Sequence, residues 1–323
     1  MGFSRLRAIQ LLALLVGIAA LVCPSAYADG SKGQCRKFST NERTSVTDKT
    51  PLIAEGADKA PNCDEETDSK GHNFFGRWLA LADRVQAEQP DWLSPLVTTS
   101  GRLKQEFRYD IWDQPLASGN RGYQFGGNKG FEFITSSRTQ LLVGIPTYNA
   151  VFPNGPPGGF GDLPLILKVR IASAEPSEGN YLLTFLLSAT APTGSHRYGS
   201  NAGVLTPTIA LGKGWKRFDV QSTVGISLPT GDTTKLGRQV LWNTAFQYRA
   251  RWKLWPELEA NSTFYKTGKY AGNAQLFLTP GVGLGRAHFA GRFRFSSAAG
   301  MQIATTPFHT YDHRLVLSTR VSF

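Results

Sequence analysis

Cysteine, methionine and charge are all scarce: three Cys, two Met and 18% Asp, Glu, Lys and Arg in 323 residues. Three cysteines are too few for a disulfide-dense scaffold or a multi-cysteine metal centre. After residue 28 no apolar run reaches the roughly 18 residues of a membrane-spanning helix, which excludes a helical membrane protein. It leaves a β-barrel open, because alternating strands look only moderately hydrophobic in any window. Negative charge is also short in the main body. Residues 72–323 hold 26 basic and 15 acidic side chains, net +11, against −2 for 29–71. For an exported chain that excess points to an acidic lipid or lipopolysaccharide surface, or to an anion-attracting interior, and no nucleic-acid partner is expected.

The N-terminus carries the marks of export. Arg5 and Arg7 precede an apolar core from Ile9 to Val22, and Ala26-Tyr27-Ala28 is an A-x-A cleavage site. Residues 1–28 read as a signal peptide. Residues 29–71 read as a flexible, polar periplasmic extension. Cys35 and Cys63 lie there, and an oxidising periplasm favours a disulfide between them. From His72 to Gln89, Phe74, Phe75, Trp78, Leu79, Leu81, Ala82 and Val85 recur at helical spacing before Pro90. Residues 72–92 therefore form an expected amphipathic helix that caps or plugs the larger downstream domain.

From about residue 100 the pattern changes to alternation, with a period of two. Twelve segments fit: 102–112, 123–134, 138–148, 162–173, 180–191, 203–212, 215–228, 238–252, 256–266, 274–285, 288–300 and 312–323. Long connections alternate with short ones such as Thr135–Ser137, Lys213-Gly214, Lys253–Trp255 and Arg286-Ala287. An even strand count with alternating long outer loops and short periplasmic turns is the pattern of bacterial outer-membrane barrels. A soluble sandwich has no cause to produce it. The last segment puts Leu315, Leu317, Thr319, Val321 and Phe323 on one face and Arg314, Val316, Ser318, Arg320 and Ser322 on the other. The apolar faces must look outward, since a charge on the lipid side costs about 2–4 kcal/mol at mid-depth. Trp242, Tyr248, Trp252, Trp255, Tyr181 and Trp215 fall near segment ends, where an aromatic girdle lies. Pro207 and Pro280 fall inside segments, where each removes a ladder hydrogen bond and a bulge is expected.

The expected fold is thus all-β: a 12-stranded antiparallel transmembrane β-barrel over 93–323 with a short N-terminal helix. Its inward positions sketch a lumen. One wall would carry Arg102, Lys104, Arg108, Arg292, Arg294, Arg314 and Arg320, with Glu106 and Asp110 interspersed. The opposite wall would carry Asp219, Glu257 and Glu259, with Arg251 opposite Glu257 and Arg249 opposite Glu259 across the 253–255 turn. Such walls either impose a transverse field on a passing solute or neutralise one another and hold the lumen together. No catalytic residue, cofactor or metal is expected. His309-Thr-Tyr-Asp-His313 has two imidazoles and a carboxylate in one loop, which reads as a solvated loop before a metal site. Gly155-Pro-Pro-Gly-Gly159 follows no phosphate-loop spacing.

Two stretches resemble a known family. They are Leu187-Ser-Ala-Thr-Ala-Pro-Thr-Gly194 and Val220-Gln-Ser-Thr-Val-Gly-Ile-Ser-Leu-Pro-Thr-Gly-Asp232, flanking Thr206-Pro-Thr-Ile-Ala-Leu-Gly-Lys-Gly-Trp215. The doubled Pro-Thr-Gly resembles the outer-membrane transporters grouped with the meta-pathway of phenol degradation, over residues 95–323. The terminal Phe323 also resembles the signal by which the barrel-assembly machinery engages the last strand. The resemblance implies a small monomeric barrel in the outer membrane of a Gram-negative bacterium, passing small organic solutes passively. It names no binding residue. A structural or surface-interaction barrel with a filled lumen is the alternative, and an outer-membrane hydrolase the third.

Overall fold

In the computed structural model the described residues are 74–127 and 129–323. Residues 1–28 and 29–71, and with them Cys35 and Cys63, lie outside these.

The strands alternate apolar and polar because each has two environments, and they close into a barrel of twelve. They are β1 (Glu106–Pro115), β2 (Arg121–Gly126 and Gly130–Ile134), β3 (Thr139–Gly144 and Tyr148–Phe152), β4 (Gly159–Phe160 and Leu163–Ala174), β5 (Tyr181–Ala191) and β6 (Val204–Trp215). The rest are β7 (Phe218–Pro229), β8 (Gln239–Tyr248), β9 (Leu254–Tyr265), β10 (Ala274–Ala290), β11 (Phe293–Ala304) and β12 (His313–Ser322). Sequential neighbours pair antiparallel throughout, and β12 returns to β1 with Glu106 opposite Ser322 and Asp113 opposite Leu315. Closure leaves no open edge along the wall.

The outward face is apolar: Ile209, Leu211, Val224, Ile226, Trp242, Phe246, Leu258, Val282, Phe295 and Leu317 are all exposed. The intervening residues are polar and buried, among them Gln221, Thr223, Gln247, Asn261, Thr279 and Ser296. Of the six girdle aromatics, Trp242, Tyr248, Trp252, Tyr181 and Trp215 are exposed, whereas Trp255 is buried, because it belongs to β9 and its parity points it inward.

Several sequence-based boundaries move. The first strand begins at Glu106, not 102, so Arg102 and Lys104 are not on it. β2 is interrupted at Gly126 and Gly127, which hold φ of 102° and 58°. Asp110 faces Gly126 while Phe107 faces Phe131, so the break inserts an even number of residues and the faces are kept. β6 runs past Lys213-Gly214 to Trp215, and β10 runs past Arg286-Ala287 to Ala290. Pro207 and Pro280 cause no register shift; the bulges fall between Arg170 and Ala172 and between Leu284 and Ala290. The Pro-Thr-Gly pairs fasten neighbouring strands: Leu163 N donates to Thr193 Oγ1 at 3.0 Å, and Thr230 N to Gly203 O at 2.8 Å.

The helix α1 (Phe74–Ala87) lies across one mouth, the near mouth, where β1 starts and β12 finishes. Its buried Ala82 and Val85 pack on Leu103 and Ile134. Trp78 Nε1 donates to Ile134 O at 2.6 Å, and Arg292 clasps Asp83 at 2.7 Å.

Candidate functional site: the lumen and its re-entrant segment

Between α1 and β1 the chain does something that alternation could not announce. Residues 89–105 turn into the barrel, reach a tip at Leu96–Thr98 and come back to β1. Gln89, Leu96, Thr98, Leu103 and Gln105 are almost wholly buried, although none lies in a helix or strand.

A buried irregular backbone needs partners for its N–H and C=O groups. The inward side chains supply them. Glu259 accepts from Val97 N at 2.8 Å and from Thr98 N and Thr98 Oγ1 at 2.6 Å each. Arg108 and Arg320 both donate to Pro95 O, at 3.0 and 3.1 Å. Gln221 donates to Leu93 O at 3.0 Å, and Lys168 to Arg102 O at 3.2 Å. Gln89 bridges both legs by bonding Leu103 N and Leu103 O at 3.0 and 2.6 Å.

The apolar side chains of the segment sit where the wall has no Cβ. A Cβ on Gly281 or on its cross-strand partner Gly300 would lie 2.6 Å from Leu96 Cδ1. One on Gly283 would collide with Leu93 Cδ2, and one on Gly212 would lie 2.5 Å from the Trp92 ring. These glycines are sockets. That explains why Gly212 and Gly214 lie within β6 and are not its turn: the turn is Lys216-Arg217, and Gly214 makes room for Trp92.

The sequence-derived lumen residues divide into three groups. Arg108, Asp219, Glu257, Glu259 and Arg320 face inward and are buried, and Arg314 faces inward and is half-buried. Arg102 and Lys104 are also buried in the lumen, but on the re-entrant segment. Arg249, Arg251, Arg292 and Arg294 are exposed; Arg292 and Arg294 line a cavity at the near mouth with Arg102 and Gln89, and Arg249 lines a neighbouring one with Asp91. The two cross-strand ion pairs do not form. β8 ends at Tyr248, and Glu257 and Glu259 face Gln247 and Ala245. β8 stops early because Arg251–Lys253 form a short 3-10 turn in which Trp252 and Lys253 have positive φ.

Nor do a basic and an acidic wall confront each other in the near half. Lys104 pairs with Glu106 at 2.6 Å and Glu132 at 3.4 Å, Lys168 with Glu132 at 2.9 Å, and Arg108 with Asp110 at 2.8 Å. Lys104, Lys168 and Arg108 are thus matched by nearby acids, whereas Arg102 and Arg320 bond backbone carbonyls. On the other side Gln247 donates to Glu257 at 2.6 Å and Gln221 to Asp219 at 3.1 Å. Glu257 Oε1, Arg320 Nε, Arg320 Nη1 and Arg102 Nε are among the buried atoms that have no partner in the described residues. Buried polar groups of that kind are met by water or by a solute. Gln221, which alternation in the seventh segment turns inward with Asp219 and Thr223, is buried as expected, whereas Glu132, Lys168 and Gln140 are lumen residues that sequence reasoning missed. Their signal is alternation alone, which gives the face but not the partner.

The far half of the lumen is different. Arg314 packs against two rings, its Cζ 3.5 Å from the Trp112 centroid and 4.4 Å from that of Tyr311. Tyr311 stacks on Phe277 at 4.4 Å and 17° and donates to Gln302 at 2.6 Å. In the adjoining loop His309 has both ring nitrogens engaged, with Thr306 O and Asp312 Oδ1 at 2.9 Å each.

No family model matches the chain, and no curated protein does. Solved structures do. An outer membrane channel from Pseudomonas putida F1 is 15% identical with a TM-score of 0.49, over 68% of this chain and 94% of that one. The NanC porin is 10% identical with a TM-score of 0.44, over 68% of this chain and 98% of that one. Likeness at this level says nothing about what this chain carries.

Proposed function

We propose that the protein is an outer-membrane channel for small organic solutes, closed in its near half by residues 89–105. The observation that carries the reading is the pairing of an exposed apolar belt with a polar, hydrogen-bonding lumen. Ile209, Leu211, Val224, Ile226, Phe246 and Leu258 would be costly against water and are at home against hydrocarbon. The near mouth is then periplasmic and the far mouth faces outside. Twelve strands sit between the eight that side chains fill and the sixteen that leave an open channel, so one re-entrant segment is enough to close the bore. The doubled Pro-Thr-Gly supports grouping with the phenol meta-pathway transporters. Lipid, lipopolysaccharide and the barrel-assembly machinery are the partners this placement entails.

Single-channel recording in planar bilayers tests it. The intact chain should give brief or small current steps. A variant with 94–100 replaced by Gly and Ser should give sustained ones. A chain in which neither form conducts, and neither admits a neutral solute to liposomes, is a filled structural barrel. That second reading is favoured by the dense bonding of the re-entrant segment, from Glu259 to Val97 and Thr98 above all.

A further inference from the structure

Among the described residues, Arg314 is the one luminal arginine whose surroundings are neither acidic nor part of the re-entrant segment. Arg108 has Asp110, and Arg320 and Arg102 bond backbone carbonyls of that segment. Among the described residues no carboxylate pairs with Arg314. Its Nε is taken by Gln302 Oε1 at 2.7 Å. Two rings lie against its guanidinium, with Cζ 3.5 Å from the Trp112 centroid and 4.4 Å from that of Tyr311. With aromatic rings packed on it and Nε occupied, the terminal N–H edge is what the cation has left to offer.

Such an edge presents donors in a fixed plane, which is the geometry a carboxylate accepts. The rings hold the edge in one orientation and lower its entropy cost of binding. The surroundings favour a solute with a flat apolar body: Phe277 stacks beneath Tyr311, and the Trp112 indole N–H is a buried donor without an acceptor. The site also touches the closing segment. Trp112 packs with Val97 on the cluster of Leu96, Ala298 and Val316, so it separates Arg314 from the segment's tip.

We propose that Arg314, held by Trp112, Tyr311 and Gln302, is a capture site in the outer lumen for small organic carboxylates. Its role in transport rests on the channel reading; the binding site itself does not. A solute entering from outside docks its carboxylate on the Arg314 edge and lies one indole ring away from Leu96.

The test uses the full chain in detergent, titrated calorimetrically with benzoate, with benzamide as the neutral counterpart and inorganic phosphate as a second anion. Benzoate should bind more tightly than either. Arg314→Gln should weaken benzoate by roughly tenfold to a hundredfold, the range of a lost charge-assisted contact. Gln302→Glu, which keeps the arginine but sets a carboxylate beside it, should weaken benzoate comparably. The heat-modifiable gel mobility of each variant reports a folded barrel. If benzoate fails to bind, binds Arg314→Gln and Gln302→Glu as well as the parent chain, or is matched by benzamide or phosphate, the assignment is wrong. Liposome flux of benzamide keeps the two readings apart. Flux without benzoate binding overturns the capture site alone, and benzoate binding without any flux overturns the channel alone.

Discussion

The two halves of the lumen solve the same problem in opposite ways. Both must hold polar groups inside a wall whose outside is apolar. The near half largely fills itself: residues 89–105 bond most of its inward side chains and Lys104–Glu106 and Arg108–Asp110 pair locally, with Glu257 Oε1 and two Arg320 nitrogens left without a partner among the described residues. The far half does not. There Arg314 is covered by rings and keeps an unsatisfied edge. A buried charge matched on its own wall stiffens that wall and projects little field, whereas an unmatched one is free to bind. On the proposed channel reading, capture of a solute belongs to the far half and closure to the near half.

The largest test of that division is to empty one half. Replacing 94–100 with Gly and Ser should raise conductance from brief steps to a sustained level in planar bilayers while leaving benzoate affinity in the far half within a few-fold. Loss of benzoate binding together with closure would mean that the halves are not separate.

Next in size is the Leu96 socket. Leu96→Ala removes a fully buried side chain held between Gly281 and Gly300, and a large-to-small change of this kind costs about 2–5 kcal/mol where the site cannot collapse. Gly300→Leu fills the same space from the wall. Both should shift the tip out of the lumen and lengthen open times. Hydrogen exchange at the Thr98 amide is the readout, and unchanged protection in both variants would refute the socket.

Smaller again is Glu259→Gln. The amide keeps one acceptor oxygen, for Val97 N or Thr98 N, sets an NH2 against the other donor and loses the charge, about 1–3 kcal/mol for a charged bond lost. Opening should increase less than in Leu96→Ala; a larger effect would place the hold on the tip in Glu259 and not in the socket.

The same contrast explains what could be read from the sequence. Period two fixes the face of Glu257, Glu259 and Arg320, and the structure puts all three inside. It says nothing about which side chains meet across a turn, so a turn displaced from 253–255 to 249–253 is enough to replace Arg251 by Gln247 opposite Glu257. Residues 89–105 have no period, because each contact is with a different strand. Their trace lies in the wall, in the glycines at 212, 214, 281, 283 and 300. A glycine inside an amphipathic strand looks like a turn or a bulge until the side chain that needs the space is known.

The smallest effect belongs to the outermost part of the far half. His309 donates from Nδ1 to Thr306 O and, when protonated, from Nε2 to Asp312 Oδ1 within the loop that joins β11 to β12, and Ala304 N donates to Asp312 O at 2.8 Å. The Thr306 carbonyl first, and then the Asp312 carboxylate, raise the pKa of His309 above its ordinary value. A raised pKa in the folded loop means that the protonated form favours the ordered loop. The contribution is complete below the unfolded pKa of about 6.5 and fades as pH climbs through the folded value. Protection of the Ala304 amide, corrected for intrinsic exchange, should therefore fall between mildly acidic and mildly alkaline pH, and His309→Gln should flatten that dependence. Benzoate affinity at Arg314 should change little over the same range, because a guanidinium keeps its charge and the loop is exposed and screened. If affinity instead followed the His309 titration, the loop would be part of the capture site and the far half would have to be redrawn to include it.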